Sequence, residues 1–240
     1  MTKLLLFAIV PILATIVGAS YSLVRPPGPR TKSSIQHFAA GVVFSVVSVE
    51  LLPDIMKRHA PNFVILGFIL GLVSMLAVKS FTGKLESKDS ASGTQPTLPT
   101  ALICTVLIDI IIDGFLVGIG FAVGNKEGIL LTAALSIELL SLGLALSVEF
   151  IEIGLSRKKT LAIIGGIAST LLVGTVTGVL ILSHAPDSIV ECVLSFGLAA
   201  LLFLVTEELL TEAHEVPETP LMTSCFFVGF LLFLILAMLG

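Results

Sequence analysis

The amino-acid sequence predicts an all-α integral membrane protein with eight transmembrane helices, and three observations carry that expectation. First, 55% of the 240 residues are hydrophobic and only 12% are charged. Second, the mean hydropathy of +1.10 lies far above that of a globular domain, which excludes a soluble protein. Third, a span needs roughly 20 apolar residues and a short connection, so at about 30 residues per unit the chain accommodates about eight spans and no sizeable soluble domain. Residues 1–240 read as a single transmembrane domain. The net charge of -4 is small and the 13 Lys and Arg are scattered, which excludes a nucleic-acid tract and a polybasic lipid-binding arm. Cys104, Cys192 and Cys225 fall inside apolar runs with no CxxC pair and read as small core residues.

The first apolar run, Leu4 to Val24, ends at the Arg25-Pro26-Pro27-Gly28-Pro29 break. The second, Ile35 to Met56, stops at Lys57-Arg58-His59, and the third covers Phe63 to Val78. A stretch rich in Ser, Thr, Gly and Pro then predicts a flexible loop over residues 79–100, which divides three spans from five. Runs four and five, Ala101 to Val123 and Ile129 to Ile151, are joined by the short turn Gly124 to Gly128. The last three are Leu161 to Leu182, Ile189 to Leu210 and Leu221 to Gly240.

Alternate loops hold Arg25, Arg30, Lys32, Lys79, Lys84, Lys88, Arg157, Lys158 and Lys159, against Lys3, Lys57, Arg58 and Lys126 on the opposite side. The positive-inside bias makes the first group cytoplasmic, so the 79–100 loop is cytoplasmic and both termini lie outside a plasma (inner) membrane. The first run also fits a cleaved signal peptide, with Lys3, an apolar core and Gly18-Ala19-Ser20. Cleavage would leave Arg25, Arg30 and Lys32 outside, against the bias, so a retained first helix is expected. Intact mass with accessibility labelling checks this. A mature chain starting near Tyr21, or labelling of residues 25–32 from outside, would refute it.

Every charge embedded in the spans is acidic: Glu50, Asp109, Asp113, Glu138, Glu207 and Glu208. A carboxylate near the bilayer centre costs about 2.5 to 3.5 kcal/mol, so without basic partners these groups protonate or meet a cation. Asp109 and Asp113 are one helical turn apart on one face, and Glu138 lies at similar depth on the antiparallel span that follows. The three converge at mid-depth in this reading. Protonated acids bonding a neighbouring carbonyl remain the alternative. Gly114, Gly118, Gly120 and Gly124, with Gly174 and Gly178, form small-xxx-small pairs that predict close helix packing. His37 reads as an interfacial histidine, and Glu212, His214, Glu215 and Glu218 as a solvated acidic loop. His59 and His184 fall in outer loops.

Three motifs resemble a known family. D-I-I-I-D-G-F-L-V-G-I-G-F (Asp109 to Phe121) is similar to the fourth helix of the ZIP (Zrt/Irt-like) metal transporters, H-N-x-x-D/E-G followed by a small and apolar stretch. Gly41 to Asp54, ending V-E-L-L-P-D, resembles the family's second helix, which ends in H-L-L-P-E/D. Glu138 to Ala145 resembles the fifth, H-E-x-P-E-G-L-A, through Gly143, Leu144 and Ala145. Asp109 and Glu138 stand where the family has histidines, Ile110 where it has asparagine, Asp113 at its acidic ligand, and Leu139 and Leu142 where further acidic residues belong. The resemblance implies a 3+2+3 bundle with inverted repeats and a metal site at Asp109, Asp113 and Glu138, thinned from the family's pair of metals to one.

V-E-L-L-P-D (Val49 to Asp54) echoes E-E-L-L-T-E (Glu207 to Glu212) 158 residues later, in a span of opposite direction, as inverted repeats produce. Glu50 then serves an outer vestibule and Glu207 or Glu208 an inner one, with interfacial acids facing water as the alternative. The expected function is transport of a divalent cation (Mn, Fe, Mg or Zn), with no prosthetic group and the metal ion itself as substrate. Expected partners are the lipid bilayer and divalent metal ions, not nucleic acid, with a homodimer left open. A degenerate family member acting as a binding or regulatory subunit is the rival reading. An enzyme is not expected: an intramembrane aspartyl protease needs its two acids on different helices and carries G-x-G-D, which this chain lacks.

Overall fold

A computed structural model describes residues 2–91, 100–183 and 185–239, and among them all regular structure is helical. The elements are α1 (Thr2–Val24), α2 (Pro29–Val46), a π-helical turn (Val47–Leu51), α3 (Leu52–Arg58), α4 (Pro61–Ala91), α5 (Thr100–Val123) and α6 (Asn125–Glu152). Then follow α7 (Arg157–Ser169), α8 (Leu171–Leu182), α9 (Asp187–Phe203), a second π-helical turn (Leu204–Leu209), α10 (Leu210–Ala213) and α11 (Pro220–Leu239). Joined end to end they make eight rods long and apolar enough to cross a membrane, at the positions of the eight apolar runs. Pro29, Pro61 and Pro220 each open a helix, where the missing N–H leaves no bond unmade. His59 closes α3 in the left-handed conformation (φ 57°).

The structure corrects two expectations. The loop predicted from residue 79 is helical as far as Ala91, because no proline stops α4 before Pro96; residues 92–99 lie outside the described ones. The cysteines are not core residues: Cys104 is exposed and Cys192 and Cys225 are half-buried. In a membrane helix the lipid face is as apolar as the interior, so hydrophobicity does not separate the two. Ile65, Leu66 and Ile69 on α4 and Leu231 and Leu232 on α11 are likewise exposed.

Helices meet through glycines, in a pattern that occurs twice. Where α1 packs on α6, a Cβ added at Gly143 would lie 2.1 Å from the Thr15 carbonyl oxygen, and one at Gly18 2.2 Å from that of Leu140. Where α8 packs on α5, a Cβ at Gly114 would lie 2.1 Å from the Leu171 oxygen, and one at Gly174 2.1 Å from that of Ile111. Gly143 follows Gly114 by 29 residues, as Leu140 follows Ile111 and Glu138 follows Asp109. Gly174 follows Gly18 by 156, as Leu171 follows Thr15.

A second duplicated contact joins α11 to α2 and α4 to α9. Gly229 abuts the Phe38 carbonyl and Gly71 that of Phe196, each member 158 residues from its counterpart. At the same offset, the Ser48 hydroxyl donates to the Phe44 carbonyl (2.8 Å) and that of Thr206 to Leu202 (2.9 Å). The V-E-L-L-P-D and E-E-L-L-T-E segments thus begin in corresponding π-helical turns.

Because the contacts at Gly114 are to backbone, a side chain there forces α5 and α8 apart. Gly114→Val is expected to cost about 1 to 3 kcal/mol, read as a lowered unfolding midpoint in detergent. Gly166→Ala, with nothing within 4 Å, serves as control. An unchanged midpoint for Gly114→Val would contradict this packing.

Candidate metal centre

The centre is built on α5 and α6, which run side by side from the tight turn at Gly124. A helix repeats every 3.6 residues, so Asp109 and Asp113 project from one face of α5 on successive turns. Glu138 of α6 meets them: the three carboxylates offer oxygen atoms that all lie within 4.8 Å of one another. Asp113 is 1% and Glu138 2% exposed. Among the described residues no Lys, Arg or His makes an ion pair with any of the three. Asp113 Oδ2 and Glu138 Oε2 are buried without a hydrogen-bond partner. An unpaired buried acceptor costs about 1 to 3 kcal/mol.

This oxygen set fits a divalent cation. With metal–oxygen bonds of roughly 2.0 to 2.6 Å, opposite ligands of an octahedral site stand about 4 to 5 Å apart, so oxygens that lie within 4.8 Å of one another can share one ion. A bound cation would supply the positive charge that the helices withhold and would take up the two orphaned oxygens.

The other predicted site residues separate. Glu208, in the second π-helical turn, borders a pocket with Asp109, Glu138 and Ser141. That pocket adjoins a cavity of about 260 Å³ whose walls include Asp109, Glu149, Glu207, Glu208 and Glu212. Glu207 stands at the mouth, where Lys79 Nζ donates to its carboxylate at 2.6 Å. Glu50 lies elsewhere, beside a space of only about 20 Å³ lined also by Asp54, Glu127, Leu116, Ile119 and Leu194, and Lys126 Nζ is 3.8 Å from its carboxylate. Glu50 and Glu207 therefore do have basic partners, contributed by residues far away in the sequence. Ser136 is bound to the Thr132 carbonyl (2.6 Å) and does not border the pocket.

Sequence reasoning missed Gln36 and Glu149; Glu212, read as solvated, is indeed half-exposed but also lines the cavity. Gln36 is buried and borders the pocket, and its amide nitrogen donates to Glu212. An amide inside an apolar helix was the available sign. Comparison with known protein families and with curated proteins finds no match to this chain.

Proposed function

We propose that this protein carries a divalent metal cation across the membrane through the Asp109, Asp113 and Glu138 centre, as the resemblance to the ZIP family implies. One observation carries the reading: three carboxylates converge between two membrane-length helices with no basic partner and two oxygens unsatisfied. The duplicated glycine contacts, and the correspondence of Asp109 with Glu138 and of Glu50 with Glu208, support a 3+2+3 arrangement with inverted repeats. In such a scaffold the site sits between the repeats and each half gates one side.

The wide cavity opens beside Lys79, on the side rich in Lys and Arg, while the Glu50 side is closed by apolar packing. On the positive-inside rule this conformation faces the cytoplasm, and the membrane is the plasma (inner) membrane with both termini outside. Carboxylates stand in for the water a cation sheds on entering the apolar layer, and Glu208 and Glu212 extend the oxygen surface toward the exit.

All-oxygen ligation sets the metal preference. Carboxylate and water suit Mg, Ca and Mn, whereas zinc sites recruit imidazole or thiolate. Proteoliposomes offered Mn²⁺ and Zn²⁺ at equal concentration are expected to accumulate more manganese. Accumulation of zinc in excess would overturn the oxygen-site preference.

A second reading draws on Leu142, an apolar side chain that borders both pocket and cavity where the family places an acidic ligand. It makes the chain a metal-binding subunit without transport. Metal uptake by the purified protein in vesicles decides between them: binding without accumulation favours the subunit.

A further inference from the structure

His37, expected at an interface, is 2% exposed within α2. Its Nδ1 is 2.9 Å from the Ser33 carbonyl oxygen, an acceptor only, so Nδ1 carries the proton and donates it. Nε2 is left with a free lone pair, buried and without a partner. The ring meets His214 edge-on at a centroid distance of 5.2 Å, and His214 Nε2 lies 2.6 Å from Glu218 Oε1. Ligand atoms of His37, His214 and Glu218 all fall within 4.8 Å of one another. None of the three borders the cavity or pocket that holds Asp109.

We propose that His37, His214 and Glu218 form a second divalent-cation site, one that selects Zn²⁺ by its two imidazoles. An imidazole whose Nδ1–H is fixed on a backbone carbonyl presents Nε2 as metal-ligating histidines do, with tautomer and ring orientation set in advance. Two histidines and one glutamate are a known zinc ligand set that leaves a fourth position for water. Ligands of a tetrahedral zinc lie about 3.3 Å apart, so on binding His214 and Glu218 separate from their 2.6 Å contact while the wider separations, all within 4.8 Å, draw in. His214 and Glu218 are exposed and supply that movement, whereas His37 is the fixed member. The ion also joins three segments: α2, the end of α10 and the stretch leading into α11. The Ser33 hydroxyl already ties the first two by donating to the Ala213 carbonyl at 2.7 Å.

The test uses the purified full-length chain carrying Asp113→Asn, so that the carboxylate centre is disabled. Titration with Zn²⁺ is expected to show one site per chain, weakened at least about tenfold by His214→Ala and by Glu218→Gln. Both substitutions are at exposed positions and spare the fold. Co²⁺ in place of zinc is expected to give the visible bands of a four-coordinate, imidazole-bound ion, lost in His37→Gln. Unchanged zinc affinity in His214→Ala, or absence of those bands, overturns the proposal. The carboxylate centre is judged separately: Asp113→Asn alone should remove Mn²⁺ binding, and if it does not, that reading fails while this one stands.

Discussion

Asp113→Asn is expected to reduce Mn²⁺ uptake in proteoliposomes to the level of empty vesicles and to leave thermal stability unchanged or raised. Asp113 is the most deeply buried of the three carboxylates, and its Oδ2 has no hydrogen-bond partner. A neutral amide of the same shape removes one of three negative ligands, a loss of at least about 100-fold in affinity if each charged contact contributes roughly 3 kcal/mol. The fold is not weakened by the same change, because the amide keeps the side chain's shape and can never place a charge in the apolar layer. Lost uptake together with a lowered unfolding midpoint would point to a structural role instead. Wild-type uptake would reject the centre.

Glu208→Gln and Glu50→Gln are expected to differ by side. Glu208 borders the pocket with Asp109 and Glu138 and faces the open cavity, so its loss should slow release toward the cytoplasm by about 10- to 100-fold. External affinity should hardly change. Glu50 lies across the apolar constriction beside Lys126, so Glu50→Gln should weaken capture from outside instead. External half-saturation measured alongside efflux from loaded vesicles separates the two. Equal effects of both substitutions on external affinity would remove the basis for assigning the sides.

The sequence by itself determined the eight rods and their approximate positions, because burial in lipid demands a continuous apolar run of a minimum length and the breaks between such runs are written in Pro, Gly and charge. It also placed Asp109 and Asp113 on one face, since helical periodicity is local, and paired Glu138 with them through a short antiparallel turn. It did not show that α4 continues to Ala91, since Ser- and Gly-containing polar stretches read as loop until packing or propensity decides. Nor did it show that Glu50 and Glu207 meet Lys126 and Lys79, or that Gln36 reaches Glu212. Those contacts, and the approach of His37 to His214, join residues 76 to 177 positions apart in the sequence. Only the tertiary structure decided them, because the bilayer fixes how long each helix is and leaves its rotation and neighbours to close packing.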